Sequence, residues 1–301
     1  MDLTFVGSIV ELGFFALLFG AFLGFAAKKF AVEVDPRIEE VEECLPGANC
    51  GACGYPGCAG FAKAVVEGKA SPNGCIPGGP EVALNVSKIV GGEVGESVKM
   101  IATLKCRGGS ERARDKFEYR GVHDCRAAAL IMDGFKACPN GCLGLGTCAE
   151  ECPFDAITMS DDNLPVIDPE KCTGCGVCVE VCPKDVLELM PAEKHVWIAC
   201  NNIYKGKLVK QVCDTGCIGC RICEKECPVN AITVENNLAH IDYEKCTNCQ
   251  ICVVVCPTGT IHSSKSGEIL NDAPKIRAAI ERKKAKQAEK KKNIKEAESD
   301  G

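Results

Sequence analysis

The first thirty positions contain the longest apolar run of the chain. From residue 5 to residue 27 only Ser8 and Glu11 are charged or strongly polar. A helix over this run would be about 35 Å long, which is enough to cross a bilayer. Two lysines follow the run, whereas a cleaved signal peptide would have its basic residues before it. The pattern predicts a single transmembrane anchor over residues 1–29, with the rest of the chain on the cytoplasmic side of the inner (cytoplasmic) membrane.

Later apolar patterns are short and indicate small modules. Residues 59–67 are amphipathic with helical spacing. The stretches 155–168 and 230–242 each read as an apolar segment, a polar turn containing Asn and a second apolar segment, which predicts two β-hairpins. After residue 263 the chain is rich in Lys and Glu, which predicts a solvated charged tail.

Cysteine is the residue that decides the class of this protein. The 301 residues include 25 cysteines, an odd number, and many of them lie two residues apart. These features favour metal binding over disulfides, and a reducing cytosol suits free thiolates. The formal net charge of -6 and the 5% aromatic content argue against a nucleic-acid partner. We therefore expect proteins or a membrane as partners.

The first cysteine module has the spacing C-x2-C-x4-C-x16-C, formed by Cys50, Cys53, Cys58 and Cys75. Glycines between the thiols allow the tight turns that an iron–sulfur cubane needs. The four thiolates predict one [4Fe–4S] cluster, and a tetrahedral zinc site is the alternative. Cys44 lies outside this spacing and is expected to be a free or buried thiol.

Two longer runs, residues 172–183 and 246–257, have the ferredoxin spacing C-x2-C-x2-C-x3-C-P. In two-cluster ferredoxins the fourth cysteine of each run binds the other cluster, so runs occur in pairs. The second pair is complete. It predicts one cluster on Cys217, Cys220, Cys223 and Cys256, and a neighbouring cluster on Cys246, Cys249, Cys252 and Cys227.

The first pair lacks one cysteine, because Leu145 stands where the second pair has Cys220. One cluster is complete, with ligands Cys172, Cys175, Cys178 and Cys152. Three thiols remain for its neighbour: Cys142, Cys148 and Cys182. We expect Cys138 as the fourth ligand because it lies closest in the sequence, with Cys125 and Cys106 as the more distant candidates.

The same 75-residue offset that aligns the two pairs also aligns Cys138 with Cys213 and Cys125 with Cys200. The extra thiols could therefore share a role beyond filling the gap. A cluster with three thiolates and one iron fewer is another possibility for the incomplete site. Four cysteines stay without a predicted partner and are enough for a sixth cluster: Cys106, Cys125, Cys200 and Cys213. The expectation is five [4Fe–4S] clusters, with a sixth open.

The N-terminal apolar run followed by "LPGANCGACGYPGC" and "IPGGPEV" resembles the B subunit of the Rnf complex, an ion-translocating ferredoxin:NAD+ oxidoreductase. The resemblance implies a membrane-anchored electron-transfer subunit that receives electrons from reduced ferredoxin and delivers them to membrane and flavin-bearing subunits. No nucleotide or flavin motif is present, so the chain alone has no complete active site. The alternatives are a polyferredoxin subunit of a hydrogenase or formate dehydrogenase, and a non-redox Fe–S or zinc scaffold.

The expected fold class is α+β. The predicted segments are a transmembrane anchor (1–29), a small helical single-cluster domain (35–92), a connector (93–137), a first ferredoxin-like unit (138–190), a second ferredoxin-like unit (196–262) and a charged tail (263–301).

Overall fold

The structure is a computed structural model of the protein. It describes residues 3–30, 35–92, 95, 98–265, 278 and 281, without the side chains of residues 3–11 and 27. Almost all of the predicted charged tail, and residues 93, 94, 96 and 97 of the predicted connector, therefore lie outside the described residues.

The N-terminal helix, α1, extends from Leu3 to Lys29. Its described apolar side chains are exposed, with Leu12 at 76% and Leu17 at 77%. Lys28 and Lys29 lie in its last turn, where the negative end of the helix dipole favours basic residues. Within the part of the chain that the structure describes, no helix is both long enough and apolar enough to cross a membrane.

Three helices form the first cysteine module: α2 (Pro36–Cys44), α3 (Gly57–Val66) and α4 (Gly79–Val90), with a 3-10 turn at Pro72–Gly74. Asp35 caps α2 by accepting a hydrogen bond from the backbone N–H of Arg37. Each α-helix contributes a nearly inaccessible side chain to one core, namely Val41, Phe61 and Val86. The apolar spacing of these short helices therefore closes a small core beside the four cysteines.

Two ferredoxin-like units follow, and each consists of two pairs of antiparallel strands. In the first unit β1 (Met100–Leu104) pairs with β4 (Leu187–Pro191), and β2 (Ile157–Met159) pairs with β3 (Pro165–Ile167). In the second unit β5 (Val196–Ile198) pairs with β8 (Ile261–Ser263), and β6 (Ile232–Glu235) pairs with β7 (Leu238–Ile241). The two predicted hairpins are β2–β3 and β6–β7.

The remaining helices are short and lie beside the cysteine loops. They are α5 (Cys125–Ala129), α6 (Thr147–Glu150), α7 (Val177–Glu180), α8 (Gly206–Val212), α9 (Ile222–Glu226) and α10 (Ile251–Val255).

The predicted boundary between the connector and the first ferredoxin-like unit needs a correction. β1 lies inside the predicted connector, 93–137, yet it forms a five-residue antiparallel ladder with β4. Ala102 of β1 is 3% exposed and belongs to the core of the first unit. The first unit therefore begins near residue 100, because its outer hairpin needs a strand from before the first cysteine loop.

The two units are in direct contact. The indole N–H of Trp197 in β5 donates to the carbonyl of Leu104 in β1, at 3.1 Å. The Arg107 guanidinium donates to the carbonyl of Gly259, at 2.6 Å. Backbone hydrogen bonds also join Arg114 to Val212 and Asp214 to Arg112. These contacts fix the position of one unit against the other.

Candidate metal centres

The structure collects 24 of the 25 cysteines into six groups of four. In spatial order they are group 1 (Cys50, Cys53, Cys58, Cys75), group 2 (Cys152, Cys172, Cys175, Cys178), group 3 (Cys125, Cys142, Cys148, Cys182), the junction group (Cys106, Cys138, Cys200, Cys213), group 5 (Cys217, Cys220, Cys223, Cys256) and group 6 (Cys227, Cys246, Cys249, Cys252). The remaining cysteine, Cys44, packs against the core of the first module.

Groups 1, 2, 5 and 6 contain the same cysteines that the spacing predicts. In group 6, for example, Cys227 comes from the first run of its pair and joins three thiols of the second run around one cavity. Cys256 crosses in the opposite direction and lines the cavity of group 5. The ferredoxin pattern of crossed ligands therefore appears in the geometry of the second unit.

A common backbone conformation shapes the four cysteine loops of the ferredoxin-like units. The residue before the second position is left-handed in each loop, as in Gly144 with φ +75° and Gly219 with φ +63°. The residue after it is also left-handed, as in Gly146 with φ +80° and Arg221 with φ +57°. The first loop keeps this conformation although Leu145 replaces the cysteine. The loop therefore still directs Cys142 and Cys148 toward one cavity.

The fourth member of group 3 is Cys125, so the prediction of Cys138 is corrected. Cys125 lines the same cavity as Cys142, Cys148 and Cys182. Asp124 caps α5 by accepting hydrogen bonds from the N–H groups of the second and third residues after it. The N–H of Cys125 donates to the hydroxyl of Thr147, at 2.7 Å, which holds the start of α5 beside the cysteine loop.

Cys138 lies instead in the junction group, with Cys106, Cys200 and Cys213 around a second cavity. The amide of Asn202 donates to the Cys138 sulfur, at 3.3 Å. The short sequence distance between Cys138 and Cys142 favoured the wrong partner, because the intervening turn directs the two thiols to different cavities.

Burial is the largest cause of the raised pKa of several of these thiols. It raises the pKa of Cys148 to about 12, with further increases from the charges of Cys125 and Cys182. It raises the pKa of Cys178 and of Cys223 to about 12 as well. Such thiols are neutral without a bound metal, and a coordinated metal deprotonates a thiol outright. Metal binding by these thiols therefore releases protons.

Backbone N–H groups point at several of the sulfurs. Ala156 donates to Cys152, at 3.4 Å, and Ala231 donates to Cys227, at 3.2 Å, with the same four-residue separation in both units. Ala102 of β1 donates to Cys172, at 3.4 Å. Hydrogen bonds to the charged form of a group stabilise that form. The loops therefore favour thiolate sulfur.

The groups form one row in space. Burial is the main cause of the raised pKa of Cys175, and the charge of Cys50 adds to it, so groups 1 and 2 are adjacent. The charge of Cys148 in group 3 likewise contributes to the raised pKa of Cys178 in group 2. At the far end, the charge of Cys223 in group 5 contributes to the raised pKa of Cys252 in group 6, so these two groups are also adjacent.

The arrangement fits iron–sulfur cubanes. In the described residues no three His, Cys, Asp or Glu side chains converge closely enough to hold a single metal ion. The thiols of groups 3, 5 and 6 and of the junction group surround shared cavities, and four Cys thiolates are the ligand set of a [4Fe–4S] cluster.

Sequence reasoning had Cys106, Cys200 and Cys213 together as candidates for a sixth cluster, with Cys125 in the place where the structure has Cys138. A common signal was present for Cys106 and Cys200, because each lies two residues after the last residue of a strand, β1 and β5 respectively. The 75-residue offset does not align Cys106 with Cys200, because the segments that follow these two cysteines differ in length. It aligns Cys200 with Cys125 instead.

Family models match three parts of the chain. The FeS model, for an Fe–S cluster, matches residues 45–77, which contain group 1. A 4Fe-4S binding domain matches residues 165–188, and a 4Fe-4S dicluster domain matches residues 216–260. The matched regions contain the three regular cysteine spacings.

Three relatives identify the family. The B subunit of the Na(+)-translocating ferredoxin:NAD(+) oxidoreductase complex of Acetobacterium woodii is 50% identical over 235 residues, covering 78% of this chain and 71% of that protein. The B subunit of the proton-translocating complex of Clostridium ljungdahlii is 44% identical, covering 92% of this chain and 98% of that protein. This chain belongs to the B-subunit family of ion-translocating ferredoxin:NAD+ oxidoreductases, the Rnf complexes. An archaeal member, the B subunit of the ion-translocating oxidoreductase complex of Methanosarcina acetivorans, is 44% identical and covers 82% of this chain and 94% of that protein.

Membership of the Rnf B-subunit family confirms the resemblance seen in the first cysteine module. It also confirms the class of cofactor and of activity, an iron–sulfur electron-transfer subunit of an oxidoreductase.

Proposed function

We propose that this subunit takes electrons from reduced ferredoxin and relays them through a row of [4Fe–4S] clusters to the membrane and flavin-bearing subunits of its complex. The observation that carries the proposal is the unbroken spatial order of the cysteine groups from the first module to the end of the second unit. Isolated structural clusters would not need to adjoin one another.

The six groups supply the ligands of six clusters, and the junction group connects group 3 with group 5. Each bound cluster supplies a one-electron redox centre whose potential depends on burial, hydrogen bonds to sulfur and net charge. The protein contributes these three factors through its own residues. The loops direct N–H groups at sulfur, and core side chains such as Ile232 and Leu238 shield group 5 and group 6 from water.

We propose that α1 anchors the chain in the cytoplasmic membrane, with the iron–sulfur modules on the cytoplasmic side. Its 27 residues give a length of about 40 Å. Two features support this role: the exposure of its described apolar side chains and the two lysines in its last turn.

The row of groups then has a membrane end and a distal end. Group 1 belongs to the module that follows α1, and groups 5 and 6 lie at the other end. Cys220 of group 5 is exposed, which suits electron entry from a soluble donor. We propose that ferredoxin docks at the distal end and that electrons leave from group 1 toward the membrane subunits.

The test uses the anaerobically purified complex. Reduced ferredoxin is mixed with it in a stopped-flow instrument, and the bleaching of iron–sulfur absorption and the formation of NADH are recorded. In Cys58→Ala, which removes a ligand of group 1, bleaching of the distal clusters persists and NADH formation falls to background.

Cys44→Ala is the matched control, because Cys44 belongs to the same module but to no group, and it keeps both signals. The proposal fails if reduced ferredoxin does not bleach the wild-type complex, or if Cys58→Ala forms NADH at the wild-type rate.

A further inference from the structure

The cysteine that solvent reaches most easily belongs to the second ferredoxin-like unit. All 25 cysteines lie among the described residues, and Cys220 of group 5 is exposed while the others are buried or half-buried. A redox centre that exchanges an electron with a separate protein needs an edge close to the surface. Cys220 therefore marks the part of group 5 that a soluble carrier can approach.

The start of helix α8 lies beside Cys220. A Cβ atom at Gly206 would lie 2.9 Å from the carbonyl oxygen of Ile218, two residues before Cys220. Just before the helix, the side-chain amide of Asn237 donates to the carbonyl of Ile203, at 3.1 Å. These contacts hold residues 203–208 next to the cysteine loop of group 5.

This stretch is positively charged. Between residues 203 and 213 the chain has three lysines and neither Asp nor Glu, although the whole chain has a net charge of -6. Lys205 and Lys207 are exposed, and neither forms an ion pair with a residue that the structure describes. Their charges are therefore available to an acidic partner.

Exposed apolar side chains accompany the two lysines. Ile203 is 53% exposed, Leu208 is 46% exposed and Tyr204 is 38% exposed. Val209 makes the buried contact of α8, so the packing of this helix leaves Leu208 on the outside. Apolar side chains with charged neighbours are typical of a protein docking surface.

The neighbourhood of group 6 is different. Its four cysteines are buried or half-buried. Lys245, which precedes Cys246, forms an ion pair with Asp242, at 2.6 Å, and the neighbouring Glu244 is exposed. With two acidic residues and one lysine, this stretch is less suited to an acidic partner than the stretch beside group 5.

We propose that an acidic one-electron carrier protein docks on an entry surface formed by Ile203, Tyr204, Lys205, Lys207, Leu208 and Cys220, so that electrons enter the row at group 5. The inference rests on the proposed function, in which the carrier is reduced ferredoxin. The carrier gives up one electron and the row accepts one, while no bond forms or breaks. Group 6 then lies off the route to the membrane, because group 5 itself adjoins the junction group.

Charge and apolar contact have separate effects on this docking. Lys205 and Lys207 attract the acidic carrier and raise its association rate, an effect that salt screens. Leu208 loses its contact with water when the carrier binds, and this contribution does not depend on charge. The two kinds of residue are therefore distinguished by the salt dependence of their variants.

Binding of oxidised ferredoxin to the anaerobically purified complex, measured by biolayer interferometry, tests the entry surface without electron transfer. Lys205→Glu/Lys207→Glu is expected to lower the association rate constant about tenfold or more at low salt. Its difference from the wild type should nearly vanish at about 1 M salt, where the Debye length is about 3 Å. Leu208→Ser is expected to weaken binding at both salt concentrations.

Lys171→Glu/Lys245→Glu is the matched control. It makes the same change in total charge, and its two lysines are exposed and directly precede Cys172 of group 2 and Cys246 of group 6. We expect it to bind ferredoxin at the wild-type rate. An equal or larger loss of binding in the control would overturn the entry surface.

Stopped-flow bleaching of the iron–sulfur absorption separates docking from the relay. Reduced ferredoxin is expected to bleach Lys205→Glu/Lys207→Glu about tenfold more slowly than the wild type at low salt. Reduced methyl viologen, a small cation that needs no docking surface, is expected to bleach the variant at least as fast as the wild type. Slow bleaching by both donors would overturn the proposal, because it would indicate a damaged relay.

The outcomes also separate this inference from the proposed function. If ferredoxin bleaches the wild type and the lysine variant equally fast, the entry surface is wrong and the relay stands. If ferredoxin does not bleach the wild-type complex, the proposed function fails, whereas the binding of oxidised ferredoxin still reports on the entry surface.

Discussion

Two buried lysines lie beside the cysteine groups. The Lys184 ammonium donates to the Asp133 carboxylate, at 2.7 Å, and Lys184 lines the cavity of group 3. Lys136 forms an ion pair with Asp115, at 2.9 Å, near Cys106 of the junction group. A cluster on four thiolates is more negative when it is reduced, so a nearby cation stabilises its reduced state.

Lys184→Gln is therefore expected to lower the midpoint potential of the group 3 cluster, by an amount on the order of tens of millivolts. The exposed carboxylate of Asp133 offsets part of the lysine charge, which keeps the effect moderate. An EPR-monitored redox titration of the purified chain measures the shift.

Lys88→Gln removes an exposed lysine of α4 and should leave all potentials unchanged. An equal shift in both variants would show that total charge, and not the position of Lys184, sets the potential.

The cysteines show how far single residues could be predicted. Sixteen thiols in groups 1, 2, 5 and 6 follow regular spacings, and the structure brings the predicted partners together. Cys125 and Cys138 were exchanged, because proximity in sequence says nothing about the direction in which a turn points. The capped start of α5, which positions Cys125, is a contact between distant segments.

At the scale of secondary structure, the cysteine loops depend on left-handed glycines with little space around them. A Cβ atom at Gly144 would lie 2.5 Å from the carbonyl oxygen of Asn163, and one at Gly174 would lie 2.5 Å from the carbonyl oxygen of Met100. Both carbonyls belong to segments that cross the loop. The loops and the crossing segments therefore fit together only if positions 144 and 174 have no Cβ atom.

Gly144→Ala is expected to displace the first loop and to lose about four irons, those of group 3. The change adds a collision with backbone to the cost of a left-handed alanine, which is about 1–2 kcal/mol. Iron analysis of the anaerobically purified variant measures the loss.

Gly68→Ala is the matched control, because Gly68 also has positive φ, +71°, but no atom lies within 4 Å of the place that its Cβ would take. It carries the conformational cost without the collision and should keep its iron. Loss of iron from both variants would indicate that strain alone breaks the sites.

The short helices give a second prediction at this scale. α6 and α7 have four residues each, and α9 and α10 have five. Isolated helices of this length are not stable in water. Removal of the clusters with a chelator and an oxidant is therefore expected to unfold both ferredoxin-like units, as followed by circular dichroism and limited proteolysis. Native proteolysis patterns in the iron-free chain would contradict this expectation.

The hairpins and the helix of the first module were predictable at this scale because their apolar periodicity is local. β1 was not, since its partner β4 lies more than eighty residues away and the strand has five residues. Nothing local marks such a strand as part of the first unit, and its pairing depends on the cysteine loops that lie between the two strands.

In the whole molecule, the junction between the two units is the feature on which the row depends. Arg107 lies close to it and joins the units in two ways: its guanidinium donates to Gly259, and its carbonyl accepts from the Thr215 hydroxyl, at 3.3 Å. Thr215 follows Cys213 of the junction group by two residues. Loss of the guanidinium should weaken the contact between the two units beside the junction group.

Arg107→Ala is expected to speed the loss of iron to a chelator from the junction site, while the iron of group 1 is released at the wild-type rate. Arg120→Ala, which removes an arginine whose side chain is 80% exposed, is the control and should change neither rate. Uniform acceleration at all sites would contradict a local role for Arg107.

The central claim is that this Rnf protein contains a continuous row of six four-cysteine sites, each with a cubane. Coulometric reduction of the anaerobically isolated full chain, combined with Mössbauer spectroscopy of its iron, tests that claim most directly. The account predicts that all iron is in [4Fe–4S] clusters and that about six electrons enter each chain, one per cluster. Zinc in place of iron, or only about five electrons per chain with the junction cysteines free to react with a thiol reagent, would contradict it.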